Sequence, residues 1–374
     1  SNAGADLILT LARPEGAGGG TKGLGLFLVP ATLPDGARNA FTINRLKDKL
    51  GSRSMASGEY TFRGAVAYQV GSLERGFKQM MEMVSASRLS NAMRAAALMR
   101  RSYFEALVHA RGRVVFGKPL AELPLMREKL LELLLDTETA LAVVLQAGAA
   151  LGRADAGSAS DACLVRILTP LAKWYVCKRA RYVTAEAMEV RGGNGYIEDW
   201  VNARLVRDSH LGSIWEGASN VVLLDVARAM EKEDAHLALF EEIERRLTRC
   251  RDGELGGAAR IVREALGRLK AQIERLGALS LAAQELALDG LARRLYHLDC
   301  AALLLDDAGQ DAAEGGGYRK LLLAARYLRT YVRPPGEADL AAPDTAALEW
   351  FEPLVQGESL PVEAAAPLLS AMRA

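Results

Sequence analysis

A chain of 374 residues, half of them hydrophobic, a quarter charged and 6% aromatic, with a formal net charge of +1, is long enough for two or three cores and carries no global field suited to nucleic acid or an anionic membrane. Its four cysteines form no C-x-x-C pair, which excludes a disulfide scaffold and the usual zinc signatures and leaves a reducing, cytoplasmic setting with no metal as the expectation. The apolar stretch 140–152 stops well short of the roughly 20 residues a membrane-spanning helix needs.

Ser1-Asn2-Ala3 reads as the scar of a cleaved tag and is set aside. Residues 7–12, 24–29, 41–44 and 59–70 read as strands separated by Gly- and Pro-bearing turns. The Gly16 to Lys22 stretch lacks the Gly-Lys-Ser/Thr order of a phosphate loop and reads as a flexible hairpin. From Leu73 the period becomes helical, with helices expected at 73–110, 121–152, 160–190 and 217–233, joined by glycine-bearing connections as in a four-helix bundle. Cys163 and Cys177 fall on one such helix, about 21 Å apart and beyond bridging reach. Further amphipathic helices are expected at 236–250, 257–276, 281–306, 318–332 and 345–372, with no fixed-period repeat. Charge divides the same way: residues 1–230 hold 29 Lys+Arg against 22 Asp+Glu, and residues 231–374 hold 18 against 24.

The chemistry-bearing segment runs from Glu186 to Asn220. Gly192-Gly-Asn-Gly195 after a long helix can bring free backbone N–H groups close to a phosphate, although taken alone a helix C-cap is the better reading. Glu216, between Trp215 and Gly217, is a carboxylate in an apolar setting, the environment that makes a general base and also one in which structural glutamates occur.

Taken together, Lys22-Gly23 through Phe27-Leu-Val-Pro30, Lys49-Leu-Gly51 with Arg53, Arg75-Gly-Phe77 with Arg88, Arg113-Val-Val-Phe-Gly117, Gly192-Gly-Asn-Gly-Tyr196, and Arg207-Asp208 ahead of Ile214-Trp-Glu-Gly217 resemble the acyl-CoA dehydrogenase family over residues 6–230. Ser54-Met-Ala-Ser-Gly-Glu59, Pro124-Leu-Met-Arg127, Lys178-Arg179 and Ala185-Glu-Ala-Met-Glu189, with the long helical extension, are similar to its AidB-type, alkylation-response branch. The resemblance implies a mostly α fold. After the scar (1–3) would come the remnant of a middle β-barrel domain (4–72), then a four-helix bundle carrying the flavin and acyl-CoA site (73–233) and a helical extension (234–374).

It further implies an FAD-dependent oxidoreductase of fatty-acid metabolism that removes an α-proton and a β-hydride from an acyl-CoA thioester. The roles carried over are Glu216 as base and Arg88 beside it, for which a plain interhelical ion pair is the alternative. Arg113, Phe116, Glu189, Gly192, Gly193 and Asn220 would contact the flavin dinucleotide, partly across a homodimer or homotetramer, with electron-transfer flavoprotein as a possible redox partner. Two positions depart from the family pattern. Glu189 stands where many members have Gln and would repel a pyrophosphate unless Arg191 compensates, and Ala218 replaces a Thr. Nothing matches the family's helical N-terminal domain or first barrel half, so the chain is expected to be an N-terminally truncated, inactive fragment.

The AidB-type branch binds duplex DNA through its extension, which makes DNA the rival partner. On 257–276, Arg260, Arg263, Arg268, Lys270 and Arg275 share a face with Glu264 and Glu274, expected to pair with Arg268 and Lys270. Arg326, Arg329 and Arg333, with Arg319 and Lys320, form a second basic cluster. Phosphate binding needs uncompensated cations, and the extension as a whole is acidic.

Overall fold

The computed structural model describes residues 2–251, 253–333 and 345–373, which fall into two units, 1–88 and 89–374.

In the first unit, β1 (Leu7–Ala12), β2 (Gly25–Pro30) and β5 (Tyr68–Val70) form an antiparallel sheet in the order β1-β2-β5. A separate hairpin pairs β3 (Phe41–Leu46) with β4 (Gly58–Phe62). β2 is the central strand of this sheet: Gly25, Leu26 and Val29 are buried and its other residues half-buried, so both of its faces are partly covered. The buried Asn39 ties the loops together, its amide donating to the carbonyls of Pro30 and Val66, 2.8 Å each. Residues set aside as a scar take part in the fold: Ala3 N–H donates to Ala56 O at 2.6 Å and Asn2 bridges Ser57. The Gly-rich loop is gathered by Arg13, whose guanidinium donates to the carbonyls of Gly18 and Gly20.

The division between units falls inside α1 (Gly76–Gly112). In the second unit, Leu89, Ala92, Ala95, Ala96, Met99, Tyr103 and Ala106 continue α1's buried stripe at helical spacing. A two-residue ribbon, β6 (Val114–Val115) and β7 (Lys118–Pro119), leads into α2 (Pro124–Asp155), where Pro124 occupies the first helical position, as its missing N–H allows. α3 (Ala159–Val190) begins at Ser158, whose hydroxyl accepts from Asp161 N–H, and packs along α2. Then come α4 (Gly193–Tyr196), α5 (Val201–Gly212) and α6 (Ser219–Glu233). The expected helix at 217–233 therefore starts two residues late, and α5 was not anticipated.

Beyond 233 lie α7 (Ala235–Leu247), α8 (Gly253–Gly277), α9 (Leu281–Ala313) and α10 (Arg319–Tyr327), the last followed by one π-helical turn, Leu328–Val332. The expected helix at 345–372 is instead three short ones, α11 (Ala346–Glu349), α12 (Phe351–Gln356) and α13 (Ala366–Arg373). Gly357 in a left-handed conformation (φ 78°) stops α12, and Pro361, itself extended, precedes a single 3-10 turn, Val362–Ala364. Residue 233 does not mark a break in packing, because α7 and α9 lie against α3, α9 lies against α2, and one apolar core runs from Leu89 to Met372.

Several basic residues of the extension are spent on this packing. Arg326, 6% exposed, donates to both carboxylate oxygens of Glu128 at 2.7 and 2.8 Å. Arg319 and Lys320 converge on Glu138, the lysine at 3.0 Å. Tyr331 donates to Asp136 at 3.0 Å, and Arg179 donates to the same carboxylate.

Candidate active site

The residues around Glu216 come together through three helices. α5 ends at Gly212, where the chain must pass close to α3: a Cβ there would lie 3.2 Å from Cys177 Sγ, so glycine fits. Burial pushes the Cys177 thiol up to about 12, so it stays a neutral wall. Asn91 on α1 donates its side-chain amide to Gly212 O at 2.9 Å. Arg94, one turn further, donates to Asp208 O at 2.7 Å and lays its guanidinium over the Trp215 ring, 5.4 Å from the centroid. These donors satisfy carbonyls that the end of α5 leaves open, and the cation suits the negative end of the helix dipole.

Glu216 then adopts φ 56° and Gly217 φ 106°. For a glutamate this left-handed backbone costs about 1 kcal/mol or more and persists only when its surroundings hold it. Lys173 of α3, 1% exposed, does so from below, its ammonium donating to Gly217 O. Glu216 itself is half-buried. Three polar atoms beside this turn, Asn91 Oδ1, Arg94 Nη1 and Trp215 Nε1, are buried with no hydrogen-bond partner among the described residues, a concentration that stable cores avoid. Arg88 is buried at 5% exposure and lies in the first unit.

The expected dinucleotide residues lie on open ground. Gly192 (φ 59°) and Gly193 have nothing within 4 Å of where a Cβ would stand, a shelf a ligand can approach. Phe116, 93% exposed at φ 50°, tips the β6–β7 ribbon, and Arg113, Glu189 and Asn220 are exposed. His109, near the end of α1, has its pKa lowered by burial first and then by the charges of Arg191 and Arg113. Arg191, however, does not serve as the counterion for Glu189 beside a pyrophosphate. It is buried, donates to Glu105 at 2.9 Å and stacks on Trp200 at 4.3 Å.

Lys173, Asn91, Arg94 and Gly212 escaped the sequence reading. Only Lys173 left a signal, as a lone charge within the apolar run Leu171-Ala-Lys-Trp-Tyr-Val-Cys177. Of the basic residues considered for DNA, Arg326 is committed to Glu128, Arg329 is half-buried and partnered, and Arg333 is exposed. On α8 the expected Glu264–Arg268 and Lys270–Glu274 pairs are not formed among the described residues. Arg263 pairs with Glu244 at 3.1 Å, and Lys270 lies over Phe240. No group of acidic, His or Cys side chains able to hold a metal occurs among the described residues, and no described helix is long and apolar enough to cross a membrane.

Residues 74–231, which carry α1 through the Glu216 turn, match the family profile described as acyl-CoA dehydrogenase, C-terminal domain. The chain belongs to the acyl-CoA dehydrogenase family. It is 37% identical to AidB of Escherichia coli (strain K12) over 309 residues, 83% of this chain and 53% of that protein. It is 33% identical to acyl-CoA dehydrogenase family member 11 of Caenorhabditis elegans, over 82% of this chain and 52% of that one. The crystal structure of ACDH-11 from C. elegans in complex with C11-CoA superposes with a TM-score of 0.83 at 30% identity, covering 89% of this chain and 58% of that one. An acyl-CoA dehydrogenase from Bacillus anthracis complexed with FAD shares the fold (TM-score 0.71, 18% identity, 99% of this chain and 69% of that one). The chain thus spans about half the length of the first two relatives. Acyl-CoA dehydrogenases are flavoprotein oxidoreductases, and FAD is the cofactor of this family.

Proposed function

We propose that the protein of which this chain forms part is an FAD-dependent acyl-CoA dehydrogenase that oxidises an acyl-CoA thioester between Cα and Cβ with Glu216 as general base. The observation that carries this reading is a carboxylate held at φ 56° on a turn anchored by Asn91, Arg94 and Lys173, in a chain of this family. Strain maintained by dedicated donors at a half-buried acid is how a reacting group is preorganised.

In this reading Glu216 takes the α-proton, and its backbone N–H meets the thioester oxygen as negative charge develops there. Arg88 is the cation this reading assigns as the companion of the base. FAD, when bound, supplies the acceptor for the β-hydride. Gly192, Gly193 and Asn220 offer its dinucleotide backbone amides and an amide side chain. Arg113 and Phe116 offer a cation and an exposed ring. Because Phe116 projects so far from its own unit, we infer that this hairpin serves a neighbouring copy in a homodimer or homotetramer. Electron-transfer flavoprotein as the reoxidant and a cytoplasmic location belong to the same reading.

The test is anaerobic titration of the full-length, FAD-loaded protein with medium-chain acyl-CoA. The flavin absorbance bleaches in the wild type and persists in Glu216→Gln. Bleaching of Glu216→Gln at the wild-type rate removes Glu216 from the mechanism. Duplex DNA is the competing ligand; the cluster around Arg326 counts against it, since Arg326, Arg319 and Lys320 face carboxylates of α2.

A further inference from the structure

We propose that Lys173 is the positioning residue for Glu216: its buried ammonium, bonded to the carbonyl of Gly217, sets the left-handed turn that presents the base. This rests on the reading of Glu216 as base. Lys173 is 1% exposed, with Leu171, Ala172, Trp174, Val176 and Cys177 around it in sequence all at 1% or less.

A lysine taken so completely out of water is expensive unless acceptors compensate it, and an apolar side chain of similar volume would serve packing at least as well. What an apolar residue cannot do is hold a carbonyl. The carbonyl that Lys173 holds belongs to the residue directly after Glu216. The opposite end of the turn is pinned separately, by Asn91 at Gly212 O and by Arg94 at Asp208 O. Glu216 sits four residues beyond the first anchor and one residue before the second, so Lys173 is the nearer constraint on its backbone.

The consequence of this contact is geometric. Without the ammonium, the peptide between Glu216 and Gly217 is free to leave φ 56° and φ 106°, and the carboxylate loses its fixed aim. Misplacement of a reacting group by about 1 Å is enough to slow a step by about a hundredfold. A residue that served folding alone would not slow the chemical step while leaving acyl-CoA affinity intact.

The experiment uses the full-length, FAD-loaded protein. It measures exchange of acyl-CoA α-hydrogens for solvent deuterium under anaerobic conditions, across pH, alongside acyl-CoA affinity and thermal unfolding. In this exchange Glu216 breaks the α-C–H bond, takes the proton and returns a deuteron, so no net oxidation is needed. In Lys173→Met, exchange is expected to slow about tenfold to a hundredfold, with acyl-CoA Kd within about twofold of wild type. If Lys173→Met does not fold, Lys173→Gln decides alone: its shorter side chain does not reach as the ammonium does, and slower exchange with an unchanged Kd is expected.

Exchange within about twofold of wild type in either folded variant overturns the proposal. A wild-type protein that neither exchanges nor bleaches overturns the dehydrogenase reading itself. Wild-type activity, an inactive Glu216→Gln and an unaffected Lys173→Met overturn this proposal alone.

Discussion

Along α2, the carboxylates of Glu128, Asp136 and Glu138 each meet a cation or hydroxyl from another element. At the Gly212–Gly217 turn, by contrast, Asn91 Oδ1, Arg94 Nη1 and Trp215 Nε1 are buried without partners, and a glutamate holds a left-handed backbone. Both regions put polar groups into an apolar bundle. In the first they are saturated, and losing one partner would expose a desolvation cost. In the second they are left poised, which a stable core has no reason to tolerate and a binding site does.

The largest expected effect breaks the second region. Glu216→Gln in the full-length flavoprotein is expected to lower the rate of flavin bleaching about a thousandfold, while chemical denaturation of this chain moves by less than about 0.5 kcal/mol. A large stability change with normal bleaching would erase the contrast.

Breaking the first region should give the reverse. Asp136→Ala leaves the Arg179 guanidinium among buried groups without its carboxylate and is expected to destabilise the chain by about 3 kcal/mol in urea unfolding.

A smaller effect lies at an incompletely saturated point between α2 and α9. Burial pushes the Asp299 carboxyl up to about 6. Gln146 donates to it at 3.1 Å, while the Gln146 carbonyl oxygen has no partner. The folded state therefore binds this proton more tightly than the unfolded chain does, and stability falls as pH rises from the ordinary carboxylate range through about 6. Asp299→Asn, which can donate to that oxygen, is expected to stabilise the chain by about 2 kcal/mol at pH 7, with the gain shrinking as pH falls toward 4. A gain independent of pH would place its cause elsewhere.

The smallest expected change is at the ribbon tip. Phe116→Ser should leave stability within about 0.5 kcal/mol, since the ring is 93% exposed. In the full-length protein it should weaken flavin retention, measured by the visible absorbance that survives gel filtration.

Much of this architecture is legible in the residues alone. The helices 121–152 and 160–190 lie within a few residues of α2 and α3, because uninterrupted helical period and the Gly and Pro residues at their ends leave little freedom. Glu216 stands out because Ile-Trp-Glu-Gly combines an acid with apolar neighbours and a turn former. α5 does not stand out, since Val201 to Gly212 is rich in charge and draws its helicity from packing on α3. The breaks after Gln356 and before Ala366 were written in Gly357 and Pro361 and were overridden by the apolar period around them.

What the sequence determines by itself is local: which faces are apolar, where the backbone turns, and that an acid of the right type follows Trp215. What only the tertiary structure decides is which charges are spent. Arg326 looked available for phosphate until Glu128, 198 residues away, was brought against it. The base turn looked like a loop until Asn91, 121 residues from Gly212, and the buried Lys173 closed on it. Hydrophobic period acts over a few residues and survives in any stretch of sequence. A hydrogen bond or ion pair needs two particular atoms within about 3 Å, and only the folded chain brings them there.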